Sequence, residues 1–167
     1  MDDFNTDYRS QLIGKNIEYY GPRLAALDAE GKKVSWNWFA FLVPFCWFAY
    51  RKLYLECVAY YILTNGIHTV INQALASHNL VMNVGWTIDI VAMLFSGIYA
   101  NWLYKMKLDR NVEKCVQLPE EKREKYIKLH GGTSVVAIIV AFCITISIAA
   151  VLYYCFGVAT TLSNEPI

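Results

Sequence analysis

Catalytic signatures are missing from this chain. It has no His-Glu-x-x-His, no Gly-x-Ser-x-Gly and no glycine loop that cradles phosphate, which leaves zinc proteolysis, serine hydrolysis and nucleotide hydrolysis without a carrier. Cys46, Cys57, Cys115, Cys143 and Cys155 include no Cys-x-x-Cys pair. A zinc site or a disulfide framework is therefore not expected, and these thiols read as small apolar side chains. No basic stretch precedes a greasy one at the start, where Asp2, Asp3 and Asp7 stand instead, so the expectation is no secretory signal and an N-terminus in the cytosol. No segment returns in inverted form, as many transporter halves do. Charge is itself scarce over two long stretches. Leu80 to Tyr104 holds one acid, Asp89, and Thr133 to Phe156 holds no charge at all. Each exceeds the ~18 residues that mark a candidate membrane span.

Apolar residues are abundant. Of 167 residues, 56% are hydrophobic and the net charge is +1, against ~45–50% apolar in soluble domains. The pattern predicts one small, all-α polytopic membrane protein. Its basic residues fall in three groups: five before Val34, the pair Arg51-Lys52, and eight from Lys105 to Lys128, which together are all fifteen. Basic residues mark the cytosolic side. This predicts three transmembrane helices with the N-terminus inside and the C-terminus outside. A fourth span would push Arg51-Lys52 to the far surface, against that rule.

In order, residues 1–33 read as a cytosolic amphipathic segment, with Ile13, Ile17, Tyr20, Leu24 and Leu27 at helical spacing. Gly21-Pro22 predicts a break there, with one helix to Tyr20 and another from Pro22. Residues 34–53 form an aromatic wedge. Trp38 to Tyr50 would rise only ~20 Å as a helix, short of a ~30 Å hydrocarbon core, so an interfacial or re-entrant path kinked at Pro44 is expected. The first span is 54–76 and the second 80–104. Residues 105–132 are expected as a cytosolic loop with a short helix opened by Pro119. The third span is 133–157, and 158–167 is an outside tail.

Three groups of residues are candidates for function. In the wedge, Trp36, Asn37, Trp38, Trp47, Tyr50 and Tyr54 would set its depth in the headgroup layer, and Arg51 and Lys52 would hold it to the inner surface or take an anionic lipid headgroup. Inside the bilayer, Asn65, His68 and Asn72 share one helix face, and His68 and Asp89 lie at equal depth on adjacent antiparallel helices. A His68–Asp89 hydrogen bond is expected there, either as polar glue between helices or as a proton relay. Gly131-Gly132-Thr133-Ser134 reads as a hinge and helix cap, or as an anion-binding helix start.

Tyr19-Tyr20, Pro22-Arg23-Leu24, Ser35-Trp36-Asn37-Trp38, Ala40-Phe41, Pro44-Phe45, Trp47, Tyr50-Arg51-Lys52 and Tyr54 resemble a family of small bacterial inner-membrane proteins of unknown function. Gly131-Gly132-Thr133-Ser134 is similar to a block seen in some of its members. Leu53 stands where many members have Met. The resemblance implies a bacterial cytoplasmic membrane and no particular activity. The expected function is thus non-enzymatic and without cofactor: a scaffold or accessory subunit in the lipid bilayer, binding a partner membrane protein, its own copies or lipid headgroups, and no nucleic acid. The alternative is a small oligomeric transporter or channel built on His68 and Asp89.

Overall fold

A computed structural model describes residues 3–78 and 85–163. Among them are eight helices and no strand: α1 (Asp3–Ile13), α2 (Ile17–Glu30), α3 (Trp38–Leu42), α4 (Pro44–Tyr50), α5 (Tyr54–Ser77), α6 (Gly85–Gln117), α7 (Glu120–His130) and α8 (Val135–Ser163). The chain is all-α and divides into two units, Met1–Ser134 and Val135–Ile167. One described helix, α6, is long and apolar enough by itself to cross a bilayer, or two spans result if α7 and the described start of α8 count as one bent element. α5 is interrupted by Glu56, Thr64, Asn65, His68, Asn72 and Gln73.

The first unit is built on α6, whose 33 residues rise ~50 Å. Its buried face reads Ser96, Gly97, Ala100, Asn101, Tyr104, Leu108, Asn111, Val112 and Cys115. These follow one another at intervals of one, three and four, so they form a single stripe. The upper part of the stripe is small and admits the backbone of another segment. The lower part is bulky and takes side chains from α1, α2 and α4. This corrects the expected loop after Tyr104. Leu108, Val112 and Cys115 continue the same apolar stripe, and no Gly or Pro intervenes before Pro119, so the helix runs on to Gln117. Pro119 then precedes α7, whose first turn carries Glu120 and Glu121 where the helix dipole favours acids.

The expected break at Gly21-Pro22 is also corrected. α2 passes through Pro22, and the chain turns earlier, at Gly14 and Asn16, both left-handed with φ of 61° and 66°. Proline's ring clashes with the Cβ of the residue before it. Gly21 has none, so that clash is absent here. Leu12, Ile13, Tyr20, Leu24 and Leu27 are buried. At the turn, the Gly132 N–H donates to the Leu12 carbonyl at 2.8 Å. A Cβ on Gly14 would stand 3.2 Å from Gly132 Cα, so two glycine corners meet here.

A ring of alternating charges ties α1, α2 and α6 together. Arg9 bonds Asp28 and Asp109 at 2.6 and 2.9 Å, and Lys105 bonds the same two carboxylates at 2.6 and 2.7 Å. Partial burial opposes ionisation of Asp28, but the Lys105 and Arg9 hydrogen bonds outweigh it and hold the carboxyl below its ordinary 3.8. Burial likewise opposes the charge on Lys105, and Asp109 and Asp28 together raise it above its ordinary 10.5. Asp28 therefore adds stability that is whole above pH 3.8 and drains away as pH falls through its lower folded value. Lys105 adds stability that is whole below pH 10.5 and is lost as pH rises through its higher folded value. Unfolding followed against pH should show a plateau between these limits, and Asp28→Asn should weaken its acid edge. An acid edge identical in Asp28→Asn would exclude this role.

The wedge is not one kinked plug. Val43 separates α3 from α4, and Pro44 opens α4 at a position where its missing N–H costs no hydrogen bond. Pro44, Trp47, Phe48 and Ala49 are buried against protein, whereas Trp38, Phe39, Leu42 and Val43 are exposed.

α8, described by itself, has no Asp, Glu, Lys, Arg or His. Thr145 and Ser147 fold their hydroxyls back to carbonyls of their own helix. Most of its described large side chains are exposed, from Val135 to Tyr154, and Ile138 is half-buried.

Candidate functional site

The corner between α4 and α5 is built from the backbone outward. The Leu53 N–H reaches back to the Phe48 carbonyl at 2.8 Å and the Lys52 N–H to that of Ala49 at 3.0 Å. These two bonds, with Lys52 at φ 58°, are the Schellman ending of a helix. Glycine usually holds that left-handed position, and a side chain there is strained by ~1–2 kcal/mol. Lys52 uses its side chain to offset this. Its Nζ donates to the carbonyls of Gly131 and Leu129, at 2.6 and 3.0 Å, and so caps the end of α7. Nearby, the Ser134 N–H donates to the Tyr50 carbonyl.

Arg51 points the other way, into the protein. It is 1% exposed. Its guanidinium donates to the carbonyls of Ile13 and Lys15 and to the Tyr104 hydroxyl, all at 3.2 to 3.4 Å. It lies 4.0 Å over the Tyr20 ring and 5.0 Å from that of Tyr104. Trp47 closes the box by donating to the Tyr20 hydroxyl at 3.1 Å. No described carboxylate bonds Arg51, and its Nε has no partner. This corrects the expectation that Arg51 anchors the wedge from the surface: the guanidinium is walled in by rings from α2 and α6.

Three more charges surround it. Lys107 donates to the Arg51 carbonyl at 2.6 Å. Arg110 Nη2 stands 3.8 Å from Glu56, and its side chain is well exposed. Burial pushes the Lys107 ammonium down to about 8, helped by Lys52, Arg51 and Arg110 and opposed by Glu56. Burial lowers Lys52 as well. Lys107 thus feels three other cations, Lys52, Arg51 and Arg110, and one carboxylate, Glu56. Leu103, Lys107 and Arg110 follow one face of α6, at intervals of four and three.

Leu103 also lines the end of an apolar trough between α5 and α6. The trough encloses about 540 Å³, and its walls include Phe48, Tyr60, Leu63, Val91 and Phe95, with Glu56 at its mouth. Further along, His68 Nε2 is 3.1 Å from Asp89 Oδ1. The Asp89 side chain remains 56% exposed. Asn65 and Asn72 do not gather round this pair. Asn65 donates to the Tyr61 carbonyl of its own helix at 2.8 Å, and Asn72 is exposed.

The Ser35-Trp36-Asn37 stretch lies along the small part of the α6 stripe. The N–H groups of Ser35 and Asn37 donate to the carbonyls of Ile98 and Gly97 at 3.1 and 2.8 Å. Asn37 caps α3 through Ala40 and donates to Asn101 Oδ1 at 2.8 Å, and both Asn side chains are fully buried. Asn101 in turn donates to the Ser35 hydroxyl at 3.0 Å. The Trp36 ring meets Trp38 edge-on, with centroids 5.1 Å apart, and lies tilted against Phe41 at 5.2 Å. Trp38 and Tyr54 are exposed, so of the wedge residues these two face outward while Asn37, Trp47 and Arg51 face in. Gly131 and Gly132 form the corner after α7. A Cβ on Gly131 would stand 2.7 Å from the Ile127 carbonyl, and Gly132 has φ 65°. Thr133 is half-buried.

Sequence reasoning missed Tyr20, Gly97, Asn101, Tyr104, Lys107 and Arg110. A signal for the last two was present in the helical spacing of Leu103, Lys107 and Arg110, had the helix been carried past Tyr104.

The chain belongs to the family described as protein of unknown function (DUF2628), whose model matches residues 9–110. That range holds α2 to α5, the second half of α1, most of α6 and the whole Arg51 box. No curated protein and no solved structure matches the chain.

Proposed function

We propose that this member of the family is a non-enzymatic protein of the bacterial inner membrane, a scaffold or accessory subunit that presents a rigid cytosolic cap. In this reading α5, the part of α6 up to Tyr104, and α8 cross the bilayer. α1, α2, α7 and the remainder of α6 form the cap, the N-terminus is cytosolic and the C-terminus outside. The observation that carries it is the split in surface chemistry along α5 and α6. Leu55, Val58, Ile62, Leu63, Ile67, Val70, Trp86, Ile90, Val91, Leu94 and Phe95 are all exposed. An apolar surface of this extent belongs against lipid or another protein. Below it, Arg9, Asp28, Lys105 and Asp109 pair in a polar environment. Trp38, Phe39 and Leu42 lie at the boundary, where rings settle among headgroups.

The experiment is membrane fractionation of the full chain in a bacterial host, with single-cysteine variants labelled by a maleimide that does not cross membranes. Protein resistant to alkaline extraction, with a cysteine at Lys125 protected in intact cells and one at His78 labelled, is expected. Release at alkaline pH, or labelling of position 125 from outside, would refute the reading.

A second reading, an oligomeric transporter, is favoured by the His68–Asp89 contact alone. An acid left half-open at that depth needs a neighbour. His68→Ala with Asp89→Asn should leave a scaffold working and should abolish proton-coupled transport.

A further inference from the structure

The cationic corner and the trough are one continuous surface. Leu103 ends the trough, and Lys107 and Arg110 continue its face of α6 by four and seven residues. Glu56 belongs to the lining and reaches Arg110. Arg51, Lys52, Lys107 and Arg110 against Glu56 leave an excess of three positive charges among the described residues here. Burial keeps Arg51 from being screened by solvent, so its field adds to that of its neighbours. Lys107 spends one of its three donors on the Arg51 carbonyl. The trough itself is apolar, and along α5 it runs from Glu56 to Ile67, ~17 Å at 1.5 Å per residue. Half of a ~30 Å hydrocarbon core is ~15 Å. The trough holds about 540 Å³. A lipid tail suits an apolar trough of this length, with the cationic stretch of α6 beyond Leu103 to take its phosphate.

We propose that this surface binds an anionic phospholipid of the cytosolic leaflet, its phosphate held by Lys107 and Arg110 with Lys52 behind them and one acyl chain in the trough. The inference rests on the membrane placement above. Arg110 is the freest of the three cations, since its side chain is 59% exposed and its carboxylate partner is at the limit of ion pairing. Ala92 lines the trough, and a larger side chain there would take the space of the tail.

The test uses the full chain, purified in mild detergent, stripped of lipid and titrated with phosphatidylglycerol or phosphatidylcholine of equal chain length under native mass spectrometry. Each basic side chain near an anionic lipid contributes about fivefold in affinity. Phosphatidylglycerol should bind about thirtyfold tighter than phosphatidylcholine, on two such contributions. Arg110→Gln, an exposed change that leaves the fold intact, should cost about fivefold for phosphatidylglycerol alone, and Lys107→Gln with Arg110→Gln should erase the preference. Ala92→Phe should weaken both lipids. Equal binding of the two lipids, or a preference untouched by Arg110→Gln, would overturn the headgroup site. Binding indifferent to Ala92→Phe would overturn the tail site. Membrane integration is read separately by alkaline extraction: a protein that stays in the membrane yet shows no preference loses only the lipid site, and one that is released loses the placement as well.

Discussion

Arg51→Ala is expected to cost about 4 kcal/mol of stability, within the ~2–5 kcal/mol typical of large buried side chains cut to alanine. Lost packing is the larger share, because the aliphatic stem and the guanidinium fill the space between Tyr20 and Tyr104. The loss of ring contact adds ~2 kcal/mol for a desolvated cation. Hydrogen bonding adds less, since the contacts at 3.2 to 3.4 Å lie at or past the long end of the normal range. Burying a charge without a carboxylate also carries a penalty that the substitution removes. Arg51→Met should therefore do less harm, about 1 kcal/mol, since it keeps an unbranched apolar stem and removes the charge. Denaturant unfolding in mild detergent, followed by tryptophan emission, orders the two variants. An Arg51→Met protein as unstable as Arg51→Ala would mean that the charge, not the volume, holds the box together.

Gly97→Leu should detach the Trp36 segment from α6. An added Cβ at Gly97 would meet Phe41 Cβ at 2.9 Å and the Trp36 ring at 3.2 Å. The first contact is with the root of a side chain, which can yield only if α3 moves. Gly97→Ala should cost about 2 kcal/mol, in the ~1–3 kcal/mol range of overpacked cores. Leucine cannot be housed by such a shift. Its expected result is loss of the Ser35 and Asn37 bonds to the α6 carbonyls and exposure of Asn37 and Asn101, with tryptophan emission shifted to the red. Proteolysis between Gly31 and Trp38 should accelerate sharply in Gly97→Leu and modestly in Gly97→Ala. Equal proteolysis in both variants and the parent would show that close approach at Gly97 does not hold the segment.

The helices were legible from the sequence wherever periodicity was long and uniform. The stretch 54–76 is helical as α5, 133–157 is helical from Val135 but continues as α8 to Ser163 into the expected tail, and Pro119 with two acids after it does start α7. Errors arose where one residue cancels its neighbour's preference. Gly21 removes the Cβ that makes the position before proline unfavourable, so Pro22 was misread as a helix start. Lys52 takes a backbone conformation that glycine normally marks, so a sharp helix end looked like a pair of surface anchors. Arg51 was misread for a different reason. A charge next to an apolar run is usually at a surface, and only tertiary contact shows that Tyr20 and Tyr104, far apart in sequence, enclose it. The His68–Asp89 contact could be reached from helix depth alone, because two antiparallel helices of equal rise bring residues of equal depth level. That rule says nothing about rotation about the axis, which is why Asn65 and Asn72 do not join the pair.

The box around Arg51 also sets an order of events during synthesis. Its carbonyl acceptors at Ile13 and Lys15 and the ring of Tyr20 have already left the ribosome when Arg51 appears, but Tyr104 follows 53 residues later. At ~5–20 residues per second this is a wait of roughly 3–10 s. Through that interval the guanidinium stays hydrated, and the N-terminal helices have no α6 to settle on. The Gly14–Gly132 corner closes later still, so the first helix of the nascent chain is among the last to find its place.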